Sequence, residues 1–181
     1  MKSTIRMKTY KAIYRLLDKV SPLSGDCGLL CGAVCCNFGG QTERAPFPAV
    51  ELGIYLLPGE DKLFAREEDR SRWETVNARD YDFPDSWKGK VYFIRCAGAS
   101  SCRRDQRPIQ CRTFPLAPHI TEDGVFLLIP YTDPLPYKCP LIEENTPLDA
   151  KFVKATYTAW TRLLKDPLIL DLVEMDSRHR D

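Results

Sequence analysis

Eight cysteines are the residues of this 181-residue chain whose type and spacing point to chemistry, and they fall into two groups of four. Cys27, Cys31, Cys35 and Cys36 lie within ten residues; Cys96, Cys102, Cys111 and Cys139 follow a cysteine-free gap. Clustered thiolates bind soft or borderline metals: zinc, iron–sulfur clusters and copper(I). Two cysteines three or four residues apart can close a small chelate ring on one ion. The adjacent pair Cys35–Cys36 is different. Neighbouring side chains of an extended chain point to opposite sides, so this pair suits two metals, or two irons of one cluster, better than a single ion. Four plus four is compatible with two four-thiolate sites that share ligands across the groups, and equally with one site and spare thiols. No C-x-x-C redox pair occurs. His119, after Pro118 in what reads as a loop, is the one histidine placed to partner a cysteine nucleophile, and a lone histidine there is read as structural.

The elements that must position these thiols are legible in outline. Residues 5–20 read as an amphipathic helix with Ile5, Ile13, Leu16, Leu17 and Val20 near one face, ended by Pro22, Ser24 and Gly25. Cys27, Cys31 and Cys35, spaced by four, would form a drifting stripe on a helix, but Gly28, Gly32, Gly39 and Gly40 argue for a turn of helix or a loop wrapped on a metal. Residues 49–58 read as a short buried segment closing at Pro58-Gly59, and 63–76 as a solvated helix of mixed charge that includes Glu67, Glu68 and Asp69. Residues 90–96 and 124–131 are strand candidates, the second led by a turn at Asp123-Gly124. The run 97–118, with Pro108, Pro115 and Pro118, reads as mostly irregular. Trp73 and Trp87 are candidate covers for the cysteine region. The last 35 residues read as two helices, the second starting at Pro167, with a core stripe in 148–164 and a frayed tail at 177–181.

The expected fold is therefore a small α+β single domain, residues 1–181, with helices at both ends. Between them lies a loop-rich, cysteine-bearing middle with a little sheet, and residues 27–141 form the metal-binding core. Twenty-six basic and 25 acidic residues leave a net charge of +1, no global field to recruit nucleic acid or an anionic membrane. The opening residues interleave apolar side chains with Lys8, Lys11, Arg15 and Asp18, unlike a signal peptide, and no stretch is apolar enough to span a bilayer. A cytoplasmic protein is expected, where clustered cysteines are metal ligands or redox groups rather than structural disulfides.

One longer motif goes further. Arg107-Pro108-Ile109-Gln110-Cys111-Arg112-Thr113-Phe114-Pro115, preceded by the Cys27-x3-Cys31-x3-Cys35-Cys36 opening and by Cys96 and Cys102, and followed by Lys138-Cys139-Pro140-Leu141, resembles the YkgJ-like cysteine-cluster proteins, also described as a zinc- or iron-chelating domain. The first spacing of the family opening is usually two where this chain has three. The resemblance covers about residues 27–141 and implies metal chelation by all eight cysteines, with an iron–sulfur cluster or zinc as cofactor. A similar cysteine domain occurs in flagellin lysine methylases, which implies a protein-modifying enzyme as an alternative, although no glycine-rich fingerprint for S-adenosylmethionine is present. A metal chaperone or sensor is the other alternative. Four thiolates around zinc, or around a doubly charged four-iron cluster, carry a net charge near −2. Arg95, Arg103, Arg104, Arg107 and Arg112 crowd the second group and are placed to offset it; Arg107 and Arg112, inside the motif, are the candidate cofactor-binding pair. The same arginines offer a surface to a protein partner.

Overall fold

Tyr10, Ile13 and Leu17 recur at spacings of three and four and are all essentially buried, and they define the inner stripe of helix α1, Met7–Leu17. Residues 1–37, 53–64, 73–96, 98–100, 102 and 106–180 are described in this computed structural model. Gly39, Gly40, residues 49–52, the acidic run Glu67, Glu68 and Asp69, and Arg103 and Arg104 lie outside them. The architecture is α+β, with helices at both ends and small antiparallel sheets between them.

After α1 come two single-turn helices, α2 (Gly28–Cys31) and α3 (Val34–Asn37). Strands β1 (Gly53–Tyr55), β2 (Trp73–Asn77) and β3 (Lys90–Arg95) form a three-stranded sheet with β3 in the middle, in antiparallel register Ile54↔Ile94 and Thr75↔Tyr92. A short helix α4 (Ile109–Thr113) leads through a cis Phe114-Pro115 bond into the hairpin β4 (Leu116–Ile120) and β5 (Phe126–Pro130). The hairpin turn places Gly124 at φ +76°, a conformation that glycine adopts without strain. Helix α5 (Pro140–Glu143) precedes the long pair α6 (Ala150–Leu163) and α7 (Pro167–Arg180).

The two ends meet in one apolar core. Phe152, Ala155, Ala159, Trp160 and Leu163 of α6 and Ile169, Leu172 and Val173 of α7 are buried, and α1 packs against α6. Polar staples fix the arrangement. Asp166 precedes Pro167, a favoured first helical residue, and its carboxylate caps α7 by accepting from the Leu168 backbone N–H at 2.9 Å. The same carboxylate accepts from the Ser3 hydroxyl (2.7 Å), the Thr4 N–H (2.6 Å) and the Thr4 hydroxyl (2.9 Å), tying the first residues of the chain to the last helix.

Several expectations need correction. Residues 73–77 are a strand, not the end of a charged helix: Thr75 and Val76 are β-branched, and the whole segment pairs with β3. The run 97–118 is mostly irregular among the described residues, as expected, but it also holds α4 and the start of β4. His119 lies inside β4 rather than in a loop and is buried. The tail is helical through Arg180 because it has tertiary partners: the Ser177 hydroxyl accepts from the Ile120 N–H at 2.8 Å, and Arg180 pairs with Asp133 at 2.9 Å. Trp87 does not cover the cysteines. It belongs to the core and donates from its indole N–H to the Leu168 carbonyl at 2.8 Å.

Candidate metal centre

Residues 27–37 are folded without an apolar core of their own. Helices α2 and α3 are one turn each and bury no residue, and helices of that length have negligible stability alone. The two leucines of α2 are turned outward, Leu29 86% and Leu30 56% exposed, whereas Val34 and all four cysteines of the segment are half-buried. Cys27 and Cys31, four apart, share one face of the α2 turn, and it is this sulfur-bearing face that meets the rest of the protein. Between the helices Gly32 and Ala33 both have left-handed backbone, φ +63° and +53°. That conformation is unusual for alanine, and it lets the chain turn sharply between Cys31 and Cys35.

Asn37 closes the segment onto the second cysteine group. Its side-chain amide donates to the Gly32 carbonyl at 2.7 Å, and its side-chain oxygen accepts from the Ala99 N–H, also at 2.7 Å. One residue therefore clamps the turn between α2 and α3 and pins α3 to the loop that carries Cys102. Nothing in the sequence singles out Asn37.

The second group hangs from the frame. Cys96 directly follows β3, Cys111 is in the middle of α4, and Cys139 is the buried N-cap residue of α5. The fully buried Glu60 holds α4 in place. Its carboxylate accepts from the Ile109 N–H (2.8 Å), the Leu57 N–H (3.0 Å) and the Tyr14 hydroxyl (2.6 Å). Burial raises the pKa of this acid. Sequence reading missed Glu60, whose Pro-Gly-Glu-Asp setting resembles an exposed turn.

All eight cysteines are free thiols, and the two groups converge. Cys35 and Cys36 have their sulfurs 3.9 Å apart, close to the roughly 3.8 Å edge of a tetrahedral site with zinc–sulfur bonds of about 2.3 Å. Cys36 is hydrogen-bonded to Cys102 across the two groups, and Cys102 in turn to Arg107. Cys27 lies in the field of Cys31 and Cys139; Cys35 in that of Cys27, Cys31 and Cys111; Cys111 in that of Cys96, Cys102 and Cys36.

This crowding shifts the thiols in opposite directions. A hydrogen bond from Cys36 lowers the Cys35 pKa. At Cys36 the bond with Cys102 favours the thiolate, but the bond with Cys35, burial and the Cys35 charge outweigh it and push the thiol up to about 11. Its bond to Cys36, and then burial, raise Cys102; burial, followed by the neighbouring acidic and thiol charges, raises Cys27. Cys111 keeps accessible surface, and desolvation by the protein around it, followed by the Cys96, Cys102 and Cys36 charges, raises its pKa as well. Several sulfurs that repel one another as thiolates are a setting in which a cation would bring every pKa down.

Among the described residues no three His, Cys, Asp or Glu side chains stand close enough together to hold an ion as they are; the contacts form pairs and a chain. The donor set nevertheless fits zinc or an iron–sulfur cluster in kind, since it is sulfur throughout. The two motif arginines separate in role. Arg107 bonds Cys102, and its Nε is buried without an acceptor among the described residues. Arg112 is buried elsewhere: its guanidinium pairs with Asp18, lies 4.3 Å over the Tyr14 ring and donates from Nε to the Arg107 carbonyl at 2.6 Å. It holds the Arg107 backbone rather than facing sulfur. Arg95 pairs with Glu74 at 2.5 Å. No protein family, curated protein or solved structure matches this chain. No helix among the described residues is long and apolar enough to cross a membrane.

Proposed function

We propose that this chain is a metal–thiolate protein that holds an iron–sulfur cluster or zinc through Cys27, Cys31, Cys35, Cys36, Cys96, Cys102, Cys111 and Cys139. The observation that carries the reading is the meeting of thiols from two distant segments around the Cys35–Cys36–Cys102 chain. A second support is the 27–37 segment, which turns its leucines to water and its cysteines inward; apolar burial cannot be what organises it. The likeness of the Arg107–Pro115 run to the YkgJ-like proteins belongs to the same proposal, as does a reducing, cytoplasmic setting in which eight free thiols persist. The bound group would supply a cross-link between the segments and, if it is a cluster, a site for an electron. The chain's own contribution is to gather the sulfurs, to keep Arg107 beside them, and to release their protons on ligation.

Elemental analysis of protein purified without oxygen and without added metal tests this. Iron with matching inorganic sulfide and a broad absorption near 400 nm is the expected signature of a cluster; stoichiometric zinc in a colourless protein is that of a zinc site. Fully reduced, folded protein that contains neither metal and takes up neither refutes the proposal.

A further inference from the structure

We propose that the packed helices α1 and α6 form a docking face for the phosphate backbone of duplex nucleic acid, bound through charge and without sequence preference. The inference uses none of the cysteines and is independent of the metal–thiolate reading.

The near-neutral total charge conceals a local segregation. Helix α1 with its N-cap residue carries Arg6, Lys8, Lys11 and Arg15 and no acid. Helix α6 and the turn after it, to residue 165, carry Lys151, Lys154, Arg162 and Lys165 and again no acid. All of these cations are exposed, and none has an ion pair or a side-chain hydrogen bond among the described residues. The carboxylates that bound the two stretches are already engaged. Asp18 pairs with Arg112, Asp149 accepts from the Lys151 N–H, and Asp166 accepts from Ser3, Thr4 and Leu168.

Helical geometry gathers the charges. At about 100° per residue, the four cations of α6 fall within an arc of about 80°, and Lys8, Lys11 and Arg15 of α1 within about 60°. The opposite flank of α6 belongs to the hairpin, where Tyr157 stacks on Phe126 of β5 at 4.8 Å. The two basic arcs meet where α1 packs against α6. At one end of that seam, Arg6, Lys8 and Thr9 share a recess of about 650 Å³ with Arg162 and Lys165, and no carboxylate lines it. Like charges so placed repel one another, and an anion held between them offsets the repulsion.

The company of these cations selects the partner. Phosphate oxygens are contacted by Lys and Arg and by Thr hydroxyls, and Thr9 adds a hydroxyl to the recess. A protein interface or a bilayer takes apolar anchors. Helix α1 exposes no large apolar side chain, and the exposed Val153 and Tyr157 of α6 lie on the hairpin flank. Single strands use aromatic side chains as stacking platforms, and neither basic arc contains an aromatic residue. Paired strands, which present phosphates and keep their bases stacked inside, fit this face.

Anisotropy of a short labelled DNA duplex of mixed sequence, titrated with the purified full chain, tests the proposal. Each neutralised phosphate adds about −0.9 to the slope of log affinity against log salt, so about four contacts weaken binding about 150-fold between 50 and 200 mM. Lys8→Gln/Arg162→Gln, one recess cation from each helix, is expected to flatten that slope by about 2 with an unchanged urea midpoint. Lys88→Gln/Lys90→Gln, which removes the same charge from exposed positions elsewhere, is expected to leave the slope as it is. The wild-type slope and the ranking of competitors need no variant to fold. No duplex binding at low salt overturns the proposal, as does equal loss in the two double variants. So does tighter binding of polyglutamate, phosphatidylserine vesicles or single-stranded oligothymidylate than of the duplex.

Discussion

Replacing Glu60 with alanine removes the carboxylate that accepts from three donors at once: the buried Ile109 and Leu57 backbone N–H groups and the partly buried Tyr14 hydroxyl, at 2.8, 3.0 and 2.6 Å. The carboxylate has no exposed surface, so water does not replace it without rearrangement. A buried donor left unpaired costs about 1–3 kcal/mol. Two such donors, with a smaller share from the partly buried Tyr14 hydroxyl, give about 3–6 kcal/mol. That is a large share of the roughly 5–15 kcal/mol that holds a domain of this kind together. Glu60→Gln is milder. Its amide oxygen can take the place of Oε1, which serves both Tyr14 and Ile109, but its NH2 then faces the Leu57 N–H, donor against donor; about 1–3 kcal/mol follows for that single position. Urea unfolding of the reduced protein, followed by tryptophan fluorescence, reads both values. The expected order is wild type, then Glu60→Gln, then Glu60→Ala, with unchanged dependence on denaturant. An alanine variant within about 1 kcal/mol of wild type would mean that the carboxylate does not knit α1, the Leu57 turn and α4 together, and the account of how Cys111 is positioned would go with it.

Three further outcomes follow from the same structure. Burial opposes ionisation of Asp166, but the hydrogen bonds from Ser3, Thr4 and Leu168 outweigh it and hold the carboxyl below its ordinary value. Stability from this group is therefore complete above the unfolded value of about 3.9 and is lost as pH falls through the lower folded value; Asp166→Asn is expected to flatten that acid limb in urea midpoints measured from pH 2 to 6, and an unchanged limb would contradict the staple. Asp176 is shifted the other way, up to about 6, by burial and despite Arg180. Its contribution is complete below about 3.9 and lost as pH rises through about 6, so Asp176→Asn is expected to remove a stability decline between pH 4 and 7, while a variant that declines as the wild type does would refute it. If metal organises the thiols, its verified removal is expected to speed amide exchange first in residues 27–37 and 96–139 while α1, α6 and α7 stay protected; uniform acceleration, or none, would count against a local structural role.

What could be read without the structure depended on whether a signal was local. The stripe Tyr10, Ile13, Leu17 and the α6 stripe from Phe152 to Leu163 are visible because helical periodicity is written in neighbouring residues. Strands β3 and β5 are visible for the same reason. Strand β2 was hidden because Trp73–Asn77 follows a run of charges that imitates a solvated helix, and its pairing with β3 is a long-range fact. Helix α4 is too short for periodicity to register. The helical tail did carry a sign, Arg178, His179 and Arg180 in the last turn, where cations suit the helix dipole, but the Arg180–Asp133 pair that secures it spans 47 residues. At the candidate site the cysteine identities were plain. Their company was not: Asn37, Glu60 and the separate duties of Arg107 and Arg112 depend on which loops meet in space.

The contrast between the two cysteine groups bears on how the site would assemble. Cys96, Cys111 and Cys139 are fixed by the frame: one leaves a sheet strand, one sits on a helix locked by Glu60, one is a buried helix cap. The segment bearing Cys27, Cys31, Cys35 and Cys36 has two single-turn helices, an alanine in left-handed backbone, and the Asn37 clamp to hold it. Ordering such a segment costs about 1–2 kcal/mol per residue in backbone entropy, and its outward leucines return little of that. If the proposed metal is bound, sulfur–metal bonds would be of sufficient size to offset that cost, since structural zinc contributes about 10–16 kcal/mol in small peptides. The pre-positioned thiols would keep their share of the entropic cost low, so in that case the frame would supply the template and the first group would close on it. On that account binding energy is concentrated in ordering residues 27–37, which is why metal affinity and the order of that segment should rise and fall together.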